Sequence, residues 1–147
     1  MTAPYISDAE IERLAHGLLA CTLPKAEWTH AAHFAATLWL MRHRPDLDLP
    51  AALPGIIRAY NEAVGGRNTD SEGYHETITQ ASLAAAGAFL ASRPETEPLH
   101  AVAAGLMASP LGKPDWILVF WSRELLFSTP ARRSWVEPDL QAQRFEF

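Results

Sequence analysis

The feature that most limits what this chain can fold into is its punctuation. Apolar residues recur at helical spacing in successive stretches, and a cap residue, a glycine or a proline closes each one. Ser7 with Glu10 three residues later reads as a capping box, ahead of a stripe of Ile11, Leu14, Leu18 and Leu19 that Pro24 ends. Thr29 caps a second helix running to about His43, before Pro45, with an inward face of His33, Phe34, Thr37, Leu38 and Met41. His30 lies one turn back on the same side. Asp48, Pro50 and Pro54 open a third, as one helix or two short pieces, which continues through Ile56, Ile57, Tyr60 and Val64 to Gly65-Gly66.

After a polar loop from Arg67 to Gly73, a fourth helix is predicted from about Tyr74 to Ser92, and a fifth from about Leu99 to Ala108. A sixth begins at Pro114 and carries Trp116, Ile117, Phe120, Trp121, Leu125 and Leu126. The apolar run Trp116 to Trp121 also suits a buried strand, but the period continues into Leu125 and no partner strand is evident, so helix is preferred. Thr129 caps one last turn. The expectation is an all-α fold: a single helical domain over 1–147, a compact bundle of five to six helices, up-and-down in its first four, with an irregular tail from about 136.

Composition narrows the function classes. With 48% apolar and 20% charged residues in 147, the chain can bury a core without staples. Twelve basic against seventeen acidic residues leave no basic face for nucleic acid, and no apolar run approaches the ~20 residues of a membrane helix. Cys21 is the only cysteine, so no intrachain disulfide can form, and a cytoplasmic location is expected.

Short loops make successive helices antiparallel. Alternation then brings the end of helix one, the start of two, the end of three and the start of four to the same end of the bundle. That end would collect Cys21, Glu27, Trp28, His30, His33, Tyr60, Asn61, Glu62, the Gly65 to Gly73 loop, Tyr74, His75 and Glu76, joined by Lys113, Asp115 and Trp116. His30 and His33 share a helix face, about 5 to 6 Å between Cβ atoms. Three imidazoles, His30, His33 and His75, suit a divalent transition metal (Zn, Fe, Mn or Ni), with Glu62 as fourth ligand or base and Tyr60 and Asn61 supporting.

Other chemistries fit the same residues. General acid-base catalysis on a small molecule would use His75 or His33 as base, Glu62 to orient it, and Tyr60 or Tyr74 as donor. Cys21 is a nucleophile by position and a small core residue by type. A metal-free reading makes the histidines caps and hydrogen bonders in a protein that binds a ligand or partner, with Trp28 and Trp116 walling an apolar pocket. A homodimer through the aromatic-rich sixth helix fits that class. His16, His43 and His100 have no assigned role.

The segments W-T-H-A-A-H, R-A-Y-N-E-A-V-G, N-T-D-S-E-G-Y-H-E-T-I-T and S-R-E-L-L-F-S-T-P-A-R-R-S-W-V-E-P-D-L, spanning about Trp28 to Leu140, resemble a family of small uncharacterised bacterial helical proteins. The resemblance implies a common fold and a common site, and no substrate. It adds Arg123, Glu124, Trp135, Glu137 and Asp139 as residues to follow.

Overall fold

Ser7 does start the first helix. In the computed structural model, which describes residues 4–147, α1 spans Asp8–Leu19, and the Ser7 hydroxyl accepts from the Glu10 N–H at 3.3 Å. The returning bond of the capping box goes one residue further than the motif predicts, from the Ile6 N–H to Glu10 Oε1. A 3-10 turn at Lys25–Glu27 leads into α2 (His30–His43), capped by the Thr29 hydroxyl on the Ala32 N–H. α3 is Leu49–Ala63, α4 is Glu76–Ala91 and α5 is Leu99–Ala108. No strand occurs among the described residues, so the fold is all-α. No described helix is long and apolar enough to cross a membrane.

α2 is the hub. It packs on α1, α4 and α5, and Ala32, Phe34, Ala35, Ala36, Leu38, Trp39 and Leu40 are all buried, so the helix is covered on several sides. Its four alanines let those neighbours approach closely. The first turn of α1 reaches across to α5, where the Asp8 carboxylate accepts from the Leu99 and His100 N–H groups at 3.3 and 2.9 Å and from the His100 ring at 2.6 Å. A carboxylate at a helix start satisfies donors that have no partner within the helix.

One open sequence reading is decided here, and two are corrected. The third helix is one continuous piece, not two. Pro54 lies inside it and lacks the N–H that would bond the Pro50 carbonyl, and the Gln80 side chain of α4 supplies that bond instead at 2.9 Å. His75 is the N-cap of the fourth helix rather than a member of its first turn. The expected sixth helix is broken into a 3-10 turn (Trp116–Val119), α6 (Arg123–Leu126) and α7 (Thr129–Arg133), following a 3-10 turn at Pro110–Gly112.

The break has a tertiary cause. Asp139 takes the Ser122 N–H at 2.8 Å and its hydroxyl at 2.6 Å, and the Leu140 N–H bonds the Phe120 carbonyl, so the chain around Ser122 is held extended. The segment from 136 onward is irregular as expected, yet it is fastened along its length. Trp121 donates to the Val136 carbonyl, Gln143 donates to the Ala81 carbonyl, and Phe145 packs against Trp116 and Phe120. The surface of Trp116 and Trp121 is consequently buried within the chain itself, at 7% and 0% exposure.

Candidate functional site

The helix ends meet as alternation requires. α2 and α3, although consecutive, make little direct contact, and α4 lies between them on one side. The space left is a cavity of about 570 Å³, a volume ordinary for a small-molecule site. Its floor is apolar and buried, with Leu18, Phe34, Leu53, Leu83, Trp116 and Leu126; its mouth carries the exposed side chains of His33, Pro114, Asp115, Arg123 and Phe127. From His75 to Leu83 the α4 wall runs about 12 Å.

The α4 side of the site is rigidly braced. His75 is buried at 6% exposure; its Nδ1 accepts from the Ile78 N–H at 3.1 Å and its Nε2 donates to the Leu126 carbonyl at 2.6 Å. A carbonyl can only accept, so the proton sits on Nε2 and the ring is neutral with both nitrogens engaged. Burial lowers its pKa most; the Leu126 bond opposes that, and the nearby Arg132 charge adds to it. The preceding loop is held by Asn68, whose Oδ1 accepts from the Tyr74 N–H at 3.0 Å and from Asn61 Nδ2 at 3.1 Å, while its own amide donates to the Arg58 carbonyl. Gly73 closes the loop at φ +82°, where a Cβ would stand 1.9 Å from the Arg67 carbonyl oxygen, so only glycine fits. From α7, Arg132 donates to the Gly73 and Tyr74 carbonyls and Arg133 pairs with Asp70.

The α2 side is different. His30 Nε2 donates to the Leu111 carbonyl at 2.8 Å, which leaves a lone pair on Nδ1. His33 stacks on Trp28 with ring centroids 3.9 Å apart, and neither of its ring nitrogens bonds another described residue. Its exposure is to the cavity mouth, with protein mass on the remaining sides. Desolvation by that mass, and then the neighbouring His30, push its pKa down to about 4. Water in the mouth moderates the desolvation, and the neutral ring remains the stable form at pH 7.

The other residues singled out from the sequence divide similarly. Tyr60 is fully buried, and its hydroxyl donates to the Leu23 carbonyl at 2.8 Å, away from the cavity; burial, then the Glu27 and Cys21 charges, raise its pKa. Glu62 is exposed and reaches Asn68 at 3.5 Å. Asn61 lines the cavity but its amide is committed to Asn68. Tyr74 bonds Glu76, under the guanidinium of Arg58, and burial followed by that carboxylate holds its pKa well above the usual tyrosine value. Cys21 adopts φ +58° in the turn after α1. Thus Tyr60, Glu62 and His75 are not assembled as a catalytic group, and His30, His33 and His75 are not assembled as a metal centre. Among the described residues no three His, Cys, Asp or Glu side chains stand together closely enough to hold an ion.

A lone Asn in a polar loop gives no sign in the sequence that Asn68 ties α3 to the loop ahead of α4. Ser82 and Phe127 carry no sequence signal either, since their place on the wall depends on how the chain folds α4 and the segment after Leu126 around the cavity. No known protein family, curated protein or solved structure matches this chain, so the site is read from its own geometry.

Proposed function

We propose that the protein binds a small, largely apolar molecule in the cavity at the end of the bundle, with His33 as the polar contact that orients it. The observation carrying this reading is an apolar, enclosed floor beneath a neutral imidazole that has no protein partner. A hydrogen-bonding group bonded only to water beside apolar surface can exchange that water for a ligand group and so orient what enters the cavity. Neutral imidazole offers one donor and one acceptor, enough to fix a hydroxyl, amide or carboxyl group.

The test uses a neutral apolar fluorophore, N-phenyl-1-naphthylamine, whose emission rises on leaving water. Ser82→Phe places a ring in the cavity and should weaken binding by about tenfold or more, with helix content and urea midpoint nearly unchanged. Equal binding by that variant, or none by the native chain, would overturn the reading. The His30 and His33 lone pairs keep a two-imidazole metal site as the competing proposal. Elemental analysis of tag-free protein separates the two: about one equivalent of metal, lost in a His30→Ala, His33→Ala double variant, would favour the metal.

A further inference from the structure

Four arginines on this molecule are held in ion pairs with carboxylates. Arg13 with Glu27, Arg44 with Asp46, Arg93 with Glu97 and Arg133 with Asp70 stand 2.5 to 2.9 Å apart. Asp115 and Arg123, like several exposed charges elsewhere on the surface, have no such partner, and their distinction is their place at the cavity. Both line the cavity, they form no ion pair with each other, and neither side chain bonds any described residue. They are the two formally charged residues of the lining, and of opposite sign.

The backbones that carry them are fixed. Asp115 directly precedes the buried Trp116, and Arg123 follows Ser122, which Asp139 holds at two points. The mouth therefore presents a cation and an anion, each on a fixed backbone, above an apolar floor that His33 also lines. A simple anion would meet Asp115 unfavourably and a simple cation would meet Arg123 unfavourably. A molecule bearing both signs a few ångströms apart satisfies both.

We propose that the ligand of this cavity is a zwitterion with an apolar body, of the α-amino acid kind, its carboxylate turned to Arg123, its ammonium to Asp115 and its side chain lowered onto the apolar floor. The inference rests on the ligand-binding reading above. Charges at a wet mouth are screened, so the preference they confer is modest, about fivefold, and falls with salt.

Displacement of N-phenyl-1-naphthylamine from the full chain, at low salt, tests it with four probes of one shape: L-phenylalanine, 3-phenylpropionate, phenethylamine and 2-phenylethanol. L-phenylalanine should displace at about one fifth the concentration of either singly charged probe, and the gap should shrink in high salt. Arg123→Gln should abolish its advantage over phenethylamine, and Asp115→Asn its advantage over 3-phenylpropionate. If all four probes displace alike, or L-phenylalanine displaces worst, the zwitterion inference is wrong while the cavity still binds apolar molecules. Failure of the fluorophore itself to bind would remove the cavity reading and this inference with it.

Discussion

The starts of α2 and α4 carry the histidines that look most alike in the sequence, yet the fold treats them in opposite ways. At α4, His75 closes a hydrogen-bond circuit between the helix start and the Leu126 carbonyl, and Asn68, Gly73 and Arg132 brace the backbone leading to it. At α2, Thr29 does the capping, which releases His33 to stack on Trp28 and face the cavity. A histidine that caps is structural because both nitrogens are used; behind the Thr29 cap, His30 still spends Nε2 on the Leu111 carbonyl, and His33 keeps both nitrogens free of protein bonds.

The strongest way to break this comparison is at His75. His75→Ala removes a helix cap and leaves a buried carbonyl unpaired, and should cost about 2–4 kcal/mol in urea unfolding. His75→Asn should recover about 1 kcal/mol of that, the capping share. A loss below about 0.5 kcal/mol for the alanine variant would mean that the α4 start is not braced as described.

Asn68→Ala comes next, since the loop loses its bonds to Tyr74, Asn61 and Arg58 together. About 1–2 kcal/mol is expected, with faster proteolytic nicking between Gly65 and Gly73 and little change elsewhere. Uniform loosening of the whole chain would contradict a local brace.

Acid sharpens the contrast further. Both His33 and His75 have folded pKa values below the unfolded 6.5, so the unfolded chain binds more protons as pH falls. Stability should be complete above about pH 6.5 and decline below it, with the His33 share exhausted near its value of about 4. In NMR, the His33 ring should titrate within the folded protein, whereas protonating His75 would oppose its Nδ1 to the Ile78 N–H and should accompany unfolding. Asp8, Asp70 and Asp139, held low by their partners, lose their contribution in a separate window below about pH 4.

The smallest effect on stability belongs to His33→Ala. It removes one ring stack and no hydrogen bond to the protein, so less than about 1 kcal/mol should be lost. Its consequence should fall on binding, where fluorophore affinity or probe selectivity changes while the urea midpoint holds. Stability lost with binding intact would make His33 another structural histidine.

Much of the fold was legible because its signals are local. Ser7 and Thr29 sit one residue before their helices, Gly65-Gly66 stands just past another, and alternation of short connections was enough to bring Trp28, His33, Tyr74 and Trp116 around one cavity. The misreadings share a long reach along the chain. Ser122 is stopped from continuing a helix by Asp139, seventeen residues on. Tyr60 is turned from the cavity by the carbonyl of Leu23, thirty-seven residues back, and His75 is locked by Leu126, fifty-one residues on. No pattern of neighbours announces which distant carbonyl a ring nitrogen will meet. That partner decides whether a histidine is structural or free.

Pro54 carries a last consequence. Because it cannot donate, one carbonyl of α3 faces outward at a single height, and Gln80 is the side chain that finds it. Sliding α3 along α4 by a turn would hand that exposed oxygen to water, so the proline and Gln80 act as a tooth in a gear that favours one axial setting of the two rods. Ile57 and Ile78 line the cavity from the same two helices, so an apparent flaw in a helix ties together two walls of the chamber beside it.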